Sequence, residues 1–474
     1  MHDTISGMNA RVGAAPPATA TRPSGSRAGA RLHRAPRPRL LDSDLAWVIG
    51  AYAAVIVGIW SFHGGPRRFT EGATGIATGL TQLTGLGATA VGLAGLALVA
   101  RPRSLERHYG LDRMLVWHRI LGETMAVLIG VHVVVAVFEW QVDGDWGGAI
   151  SDLTGREPYM AGATVGALLV GVVTVSSLKS IRRHLAYETW WFVHLTAYLA
   201  LAVSFGHQIV TGADFADDAV ARWTWIGFHV LVAIGILWGR WGRVLVSVLR
   251  PLRVTKIERI SPDVCTVHLS GRRLRQLRGS SGQFAFLRPL TGEGWWRCNP
   301  FSLSAAPRTD ELRFTIKDRG DASNLITTLP IGTKVAIDGP YGATTPDTLH
   351  GHKVLFVVGG VGIAPARALL EDLPSSAQPI VLYRAHHERD LLHLDELRAL
   401  ANQRGGHVLT LVGPSAKLAV KDPFAAATLR RAVPDVAERS VVLCGPDRLV
   451  HAARTGLRAA GVSADHIHFE HAWW

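Results

Sequence analysis

Four histidines in two apolar stretches are the residues of this chain best suited to redox chemistry. His118 and His132 are 14 residues apart, and His194 and His207 are 13 apart. On an α-helix these spacings correspond to rises of about 21 Å and about 20 Å. Neutral imidazole is a good iron ligand, and two imidazoles fill both axial positions of a haem, which suits electron transfer better than oxygen binding at the iron. The pattern therefore predicts two haem b groups.

The two spacings differ in how they place the histidines around an ideal helix. Fourteen residues turn the second imidazole only about 40° from the first, whereas thirteen turn it about 140°. Two stacked haems then need either a lateral offset or a distorted helix. Another interpretation stays open, in which each histidine only hydrogen-bonds a neighbouring helix. Three tryptophans beside the first histidines are expected in the aromatic belt of a membrane interface: Trp117, Trp190 and Trp191.

The composition indicates a membrane protein. Mean hydropathy is +0.19 and 18% of the 474 residues are charged, which is too apolar for an ordinary soluble enzyme. The net charge of +13 comes from scattered loop residues and an N-terminal tail, which fits a positive-inside topology better than a nucleic-acid partner. Cys265, Cys298 and Cys444 are far apart, which excludes a disulfide framework and a four-cysteine iron–sulfur or zinc site.

Windows of about 20 apolar residues predict six membrane spans. They are Leu45–Phe62, Thr74–Ala100, Met114–Phe138, Met160–Leu178, Leu185–Val210 and Trp223–Val248. The second window is the least certain because it is rich in glycine and threonine. Basic clusters before the first span and after the second, fourth and sixth place those loops in the cytoplasm of a plasma-membrane protein. The other loops are acidic or mixed and are expected outside; they contain Asp143, Asp145, Asp152, Asp214, Asp217 and Asp218.

This topology decides the pairing of the histidines. The third and fifth spans run in the same direction, so the first histidine of each lies at the same membrane depth, and so does the second. His118 is therefore expected to pair with His194, and His132 with His207.

The predicted domains follow changes in sequence texture. Residues 1–39 are rich in Ala, Pro, Arg, Gly and Ser and are expected to be a disordered cytoplasmic tail, not a signal peptide. Residues 40–248 are predicted as an all-α transmembrane bundle of six helices. Short β-branched runs broken by Gly and Pro predict an antiparallel β-barrel over 249–347. From 348 to 474, strands alternate with helical patterns, which predicts a parallel α/β nucleotide-binding domain.

The segment RCNPFSLSAAP, from Arg297 to Pro307, resembles the flavin-binding motif of the ferredoxin-NADP reductase superfamily. By that resemblance Phe301 packs near the isoalloxazine ring of FAD and Ser302 hydrogen-bonds it. Asn299 stands where the family pattern has His or Arg, which leaves a neutral hydrogen-bonding residue at that position. The candidate flavin contacts of this motif are Asn299, Pro300, Phe301, Ser302, Leu303 and Ser304.

A second flavin signal follows in IKDRGDASNLI. Lys317, Gly320 and Ser323 form a Lys-x-x-Gly-x-x-Ser arrangement, in which backbone donors of a tight glycine turn and a hydroxyl suit a pyrophosphate. GPYG at 339–342 closes the flavin domain in the same superfamily. Each string alone is typical of a plain turn, but their order and spacing predict FAD.

The segment VLFVVGGVGIAP predicts binding of NADPH or NADH. A buried strand leads into Gly359, Gly360 and Gly362, and Pro365 lies near the start of a helix. Glycines let the backbone approach phosphate, and a helix N-terminus favours its charge.

Three further segments complete the nicotinamide prediction. In VVLCGPDRLV, the residues Cys444, Gly445 and Pro446 match a Cys-Gly-Pro turn of the same superfamily, which lies beside the nicotinamide and makes Cys444 a catalytic candidate. Arg384 follows a strand, where it either binds the 2′-phosphate of NADPH or is a solvated surface arginine. Related reductases end in an aromatic residue that covers the flavin, a role that falls on Trp474, with the preceding tryptophan as the alternative.

After the tail, the chain resembles the ferric reductase and NADPH oxidase superfamily. The histidine spacing and the NPFSLS, VGGVGIAP and LCGP segments carry the resemblance. It implies hydride transfer from cytoplasmic NAD(P)H to FAD, followed by single-electron transfer through an inner haem at His118 and His194 and an outer haem at His132 and His207. The external acceptor is open between oxygen and ferric iron.

The sequence is also compatible with two other functions. One is a haem-free, membrane-anchored flavin reductase that serves a protein or quinone partner, with the histidines used only for packing. The other is a transporter with a redox-sensing domain, which would need paired helix breaks at the membrane midplane that the spans do not show.

Overall fold

The computed structural model describes residues 30–34, 40–142, 147–148, 151, 158–292, 297–349, 353–415, 418 and 420–469. The chain divides into two compact units. The helical unit comprises residues 38–105 and 113–242. The sheet unit comprises residues 1–37, 106–112 and 243–474.

Long apolar helices dominate the helical unit. Among the described residues, six helical stretches are long and apolar enough to cross a membrane, which confirms the predicted number of spans. Their helices are α1 (Asp42–Phe62), α3 (Gly72–Val99), α5 (Leu111–Val142), α6 (Met160–Ser177), α8 (Tyr187–Val210) and α10 (Ala219–Ile236). The sixth stretch continues through a π-helical turn, Leu237–Gly242, into α11 (Arg243–Leu249). The short helices between them are α2 (Gly65–Arg68), α4 (Arg103–Tyr109), α7 (Lys179–Arg182) and α9 (Ala213–Ala216).

Small residues bring α6 and α8 into backbone contact. A Cβ atom on Gly162 would lie 2.5 Å from the Val203 carbonyl oxygen, and one on Gly166 would lie 2.9 Å from that of Ala200. In lipid, where no hydrophobic force draws helices together, such small-residue faces allow close van der Waals packing. The two glycines, one helical turn apart, therefore fix α6 against α8.

The first domain of the sheet unit is an antiparallel sheet of six strands in the order β4-β3-β6-β1-β2-β5. The strands are β1 (Leu252–Ser261), β2 (Val264–Ser270), β3 (Phe284–Pro289), β4 (Asn299–Ser302), β5 (Leu312–Lys317) and β6 (Lys334–Tyr341), and α12 (Asp321–Thr327) follows β5. Its core contains Leu269, Leu287 and Phe314, all fully buried. An isolated antiparallel bridge from Leu303 to Phe314 links the chain after β4 to β5. The predicted antiparallel β domain is therefore confirmed.

The second domain of the sheet unit is a parallel sheet in the order β11-β10-β7-β8-β9, as predicted. The strands are β7 (Val354–Gly359), β8 (Ile380–Ala385), β9 (His407–Val412), β10 (Ser440–Cys444) and β11 (Ile467–Phe469). The helices are α13 (Ile363–Asp372), α14 (Leu394–Asn402), α15 (Ala426–Ala432) and α16 (Asp447–Ala459). Every residue of β7 is buried, as expected for a central parallel strand covered on both faces. The strand order reverses at β7, and ligands bind at such switch points, outside the carboxyl ends of the strands.

Two segments near the predicted domain boundaries pack on the antiparallel domain. Residues 30–34, assigned to a disordered tail, dock on the antiparallel domain: Leu32 is 4% exposed within its core, and its N–H donates to the Pro307 carbonyl (3.0 Å). The end of the sixth apolar stretch, α11, is grouped with the sheet unit by its contacts, and its Ser247 hydroxyl donates to the Ile337 carbonyl (2.7 Å). Composition alone does not reveal that one leucine in a polar tail fills a distant core.

Candidate functional site

Two pairs of histidines face each other between α5 and α8. The ring centroids of His118 and His194 are 6.0 Å apart, and those of His132 and His207 are 6.5 Å apart. Two metal–imidazole bonds of about 2 Å each, plus the distance from each nitrogen to its ring centre, span roughly 6 Å. The structure thus brings together the residues that the topology paired, at a separation that fits one metal ion with two axial imidazoles.

Backbone carbonyls of α3 orient both histidines of α5. The Nδ1 atom of His118 lies 3.1 Å from the Gly95 carbonyl oxygen, and that of His132 lies 2.8 Å from the Thr81 carbonyl oxygen. Because a carbonyl oxygen only accepts hydrogen bonds, each Nδ1 must carry the proton. The lone pair of each Nε2 is then free to bind a metal, in the arrangement usual for metal-binding histidines.

A glycine of α3 makes room for the His132 ring. A Cβ atom on Gly85 would lie 2.9 Å from His132 Cε1, whereas one on Gly95 would lie 3.6 Å from His118 Nδ1, an ordinary van der Waals distance. The glycine-rich second span therefore supplies the hydrogen-bond acceptors for both α5 histidines and the space for one of them. Its glycine content was the available signal, but composition did not say which glycines face a ring.

The two histidines of α8 have different surroundings. Nδ1 of His207 lies 2.6 Å from the Thr211 hydroxyl oxygen, whereas Nδ1 of His194 is buried and has no hydrogen-bond partner among the described residues. The helix itself runs without interruption from Tyr187 to Val210. No break in α8 therefore accompanies the 13-residue spacing.

Trp190 supports His194 by stacking. The two ring centroids are 5.0 Å apart with the planes at 28°, and the Arg182 guanidinium lies 4.6 Å from the Trp190 ring centroid. The indole N–H donates to the Ser177 hydroxyl at 3.1 Å. Trp190, expected only as an interfacial residue, thus also holds a candidate ligand. The signal was its position one helical turn before His194.

β4 carries the predicted flavin motif at one edge of the antiparallel sheet. The side chains of Asn299, Pro300, Phe301 and Ser302 are half-buried, which leaves each of them an accessible part. The next two residues of the motif differ, because Leu303 is fully buried in the core and Ser304 is fully buried beside it. All six residues of the motif therefore stay candidate flavin contacts, and burial distinguishes the four in β4 from the two that follow it.

The second flavin segment forms the predicted glycine turn. Gly320 has φ +127°, in the region that favours glycine, directly before α12. The Ser323 hydroxyl accepts from the Arg319 N–H (2.7 Å) and donates to the Gly320 carbonyl (2.9 Å). Lys317 pairs with Asp263 at 2.9 Å. The turn is thus present, while its lysine and serine side chains are engaged with protein groups.

A cavity of about 660 Å³ opens beside this turn. It is lined by Arg297, Asp318, Arg319, Gly320, Asn324, Leu325 and Thr328. Two of these are arginines that the motif comparison passed over. Arg297 stands two residues before Asn299, so a cation is available close to the position where the motif lost one.

The two glycine loops of the parallel domain lie against each other. A Cβ atom on Gly362 would lie 2.5 Å from the Cys444 carbonyl oxygen, and one on Gly445 would lie 3.1 Å from the Gly359 nitrogen. Gly359 ends β7 and Cys444 ends β10, which are neighbouring parallel strands. The predicted nicotinamide residues therefore converge at the switch point of the sheet.

Two helices begin next to these glycine loops. Pro365 lies in the first turn of α13, and Pro446 directly precedes α16. The dipole of a helix favours a negatively charged ligand at its N-terminus.

Three known protein families match successive parts of the chain. Residues 84–205 match the ferric reductase like transmembrane component, residues 251–345 an FAD-binding domain, and residues 356–455 an oxidoreductase NAD-binding domain. The chain has the architecture of the ferric reductase and NADPH oxidase superfamily. It is an integral membrane oxidoreductase that combines a ferric reductase transmembrane domain with FAD- and NAD(P)-binding domains.

Curated relatives match less than half of this chain. The reductase component of propane 2-monooxygenase from Rhodococcus jostii (strain RHA1) is 29% identical over 46% of this chain and 62% of that protein. The ferredoxin reductase component of 3-ketosteroid-9-alpha-monooxygenase from Mycolicibacterium smegmatis is 31% identical over 41% of this chain and 56% of that protein. The chain thus spans less than two thirds of either relative. A cytochrome P450 reductase from Amycolatopsis matches at 22% identity with a TM-score of 0.40, over 47% of this chain and 68% of that one.

Arg384 is engaged within the parallel domain. Its guanidinium donates to the carbonyl oxygens of Leu411 (3.1 Å) and Gly413 (2.5 Å). It therefore ties the end of β8 to the chain at the end of β9, and this role needs no dinucleotide phosphate.

Trp473 and Trp474, predicted to cover the flavin, lie outside the described residues.

An ion network joins the two domains of the sheet unit and was missed from the sequence. Arg367 on α13 binds Glu371 (2.6 Å), Glu396 (2.7 Å) and the Ser304 carbonyl (3.1 Å). Arg313 on β5 binds Glu396 at 3.2 Å, across 83 residues of sequence. Such long separations leave no local pattern to detect.

The same network sets the charge state of Glu396. Burial alone would raise the pKa of this carboxyl group, but the hydrogen bond with His393 and the charges of Arg367 and Arg313 together hold the pKa well below its usual range. Glu396 therefore stays ionised and bridges the two domains at neutral pH.

Proposed function

We propose that this protein passes electrons from cytoplasmic NAD(P)H through FAD and two haem b groups to an acceptor on the other side of the membrane, either oxygen or a ferric chelate. The observation that carries the proposal is the presence of two facing histidine pairs, with centroids 6.0 and 6.5 Å apart. The match of residues 84–205 to a ferric reductase transmembrane domain supports it.

The histidine pairs would hold the haems through Nε2. His118 and His132 are already oriented for this by α3 carbonyls. A flavin is required because hydride transfer delivers two electrons at once, whereas a haem accepts one. Two haems would divide the roughly 30 Å hydrocarbon core into shorter distances for electron transfer.

The sheet unit supplies the residues for the other two cofactors. Phe301 and Ser302 would contact the flavin ring, and Arg297 and Arg319 would balance the pyrophosphate charge in the cavity that they line. The loops at Gly359 and Gly445 would admit the dinucleotide close to the backbone, which would place Cys444 beside the nicotinamide.

The proposed orientation rests on loop charge. Arg182, Arg183 and Lys179 lie together in the loop between the fourth and fifth spans, and such clusters mark the cytoplasmic side. The N-terminus and both nucleotide-binding domains are then cytoplasmic.

The decisive experiment is a reduced-minus-oxidised spectrum of the purified protein. We expect two b-type haems per chain, with one lost in His118→Ala and the other in His132→Ala. His229→Ala is the matched control, because His229 is also an intramembrane histidine, with its Nδ1 bonded to the Trp225 carbonyl at 2.9 Å. A spectrum with flavin and no haem would refute the proposal and favour the haem-free reductase.

The acceptor is identified by reconstitution in vesicles with FAD and haem. NADPH or NADH is supplied on the flavin side, and superoxide formation is compared with reduction of a ferric chelate. Ferric reduction that persists with superoxide dismutase indicates direct transfer to iron, and ferric reduction that disappears indicates oxygen as the acceptor.

A further inference from the structure

The Thr211 hydroxyl contacts the candidate haem ligand His207 at two atoms. It follows the last residue of α8, and its hydroxyl oxygen lies 2.6 Å from both the Nδ1 atom and the carbonyl oxygen of His207. One threonine side chain thus contacts both the ring and the backbone of the same histidine.

Hydrogen counting fixes the direction of both bonds. A hydroxyl group has one proton to donate and lone pairs to accept with, whereas a carbonyl oxygen only accepts. The Thr211 hydroxyl therefore donates to the His207 carbonyl and accepts from Nδ1–H of the ring. This leaves Nε2 of His207 unprotonated and available as a ligand.

The two histidine pairs consequently differ by one hydrogen bond. In the His132–His207 pair both Nδ1 atoms are bonded, to Thr81 and to Thr211. In the other pair His118 is bonded, while Nδ1 of His194 has no hydrogen-bond partner in the described part of the chain.

We propose that Thr211 is a positioning residue that holds His207 in its ligating tautomer and lowers the reduction potential of the haem bound there. A hydrogen bond to Nδ1–H makes the imidazole a stronger donor through Nε2, and a stronger donor stabilises the ferric state. The inference rests on the proposed function, since it requires a haem between His132 and His207.

The test compares two substitutions at this position. Thr211→Val keeps the side-chain shape and removes the hydroxyl, whereas Thr211→Ser keeps the hydroxyl. Thr174→Val is the matched control, because the Thr174 hydroxyl makes the same backbone bond one turn back, to the Val170 carbonyl at 2.8 Å. Haem content, the two midpoint potentials and the electron paramagnetic resonance of the ferric haems are measured on the purified holoprotein.

In Thr211→Val we expect a more positive potential for one haem only, namely the one that His132→Ala removes. Thr211→Ser should return the wild-type value, and Thr174→Val should leave both potentials unchanged. Loss of that haem in the valine variant, with retention in the serine variant, would support the same role.

Unchanged potentials and resonance signals in Thr211→Val, with both haems present, would overturn this inference alone. Equal shifts of both haems, or failure of the serine to restore the signal, would also overturn it. A wild-type protein that contains flavin and no haem would refute the proposed function and this inference together.

Discussion

The helical unit and the sheet unit hold their important side chains by different means. In the helical unit, His118 and His132 are held by backbone carbonyls and the His194 ring by a stacked tryptophan. In the sheet unit, a half-buried set of charges centred on Arg367 and Glu396 joins the two domains. Charged groups are costly in hydrocarbon. Uncharged contacts therefore suit the helical unit, and ion pairs suit the sheet unit.

The two units are therefore sensitive to different changes. The uncharged contacts depend on close steric fit, because a carbonyl oxygen must reach one ring nitrogen. The ion pairs depend on pH and on complete pairing, because a half-buried charge that loses its partner destabilises the fold. Each of the following experiments tests one side of that contrast.

The largest expected effect is that of Gly85→Ala. The added Cβ would lie 2.9 Å from His132 Cε1 and 3.0 Å from its Nδ1, so the ring must leave the Thr81 carbonyl. We expect loss of about half of the haem. Gly87→Ala is the control on the same helix, because its Cβ would meet only Leu128 at 3.6 Å. Full haem content in Gly85→Ala would refute the steric account.

Arg367→Ala tests the ion network of the sheet unit. The guanidinium contacts two carboxylates and a carbonyl, and its removal leaves them without their shared partner. We expect a loss of stability of about 3–5 kcal/mol in the sheet unit, followed as FAD release on heating, with unchanged haem absorbance. Arg398→Ala should cost below about 1 kcal/mol, because its 3.8 Å pair with Asp395 is exposed. Equal effects of the two variants would contradict a special role for the network.

Leu32→Ala tests whether the docked N-terminal segment belongs to the sheet unit. The side chain is buried in the core of the antiparallel domain, so its truncation should cost about 2–3 kcal/mol. FAD release on heating should shift to lower temperature. Ile331→Ala, at a 71% exposed position, provides the control. An unchanged midpoint in Leu32→Ala would show that the segment does not stay docked.

The smallest expected effect is the pH dependence set by Glu396. Its pKa is lowered in the folded state, so its stabilisation is complete above the ordinary glutamate pKa of about 4.3 and is lost as pH falls through the lower folded value. FAD release should become easier below about pH 4.3, and less steeply so in Glu396→Gln. Asp395→Asn, at a fully exposed side chain, should follow the wild type. Parallel pH profiles for Glu396→Gln and the wild type would argue against this carboxylate as the sensor.

Periodicity and motif order predict the architecture well. The six apolar windows, the antiparallel domain and the parallel domain all correspond to observed elements, because length and hydrophobic pattern determine them directly. The Gly359 and Cys444 loops converge because β7 and β10 are neighbours, an order that the sequence pattern does not show. The sequence does not show which α3 carbonyl meets His132, that Trp190 stacks on His194, or that Leu32 fills a core. These facts depend on helix rotation and on contacts between distant segments.

The docked N-terminal segment has a consequence for biosynthesis. Leu32 leaves the ribosome more than two hundred residues before Leu252, a strand residue of the core that it joins. Glu106 accepts a hydrogen bond from the Gly342 N–H at 2.8 Å. Four of the six apolar stretches are synthesised between these two residues. Domains tend to fold as units during synthesis, from the N-terminal end. The antiparallel domain of the sheet unit instead completes its core only after its last strand has been synthesised. A fragment that begins at Arg243 would therefore lack Leu32, which is part of that core.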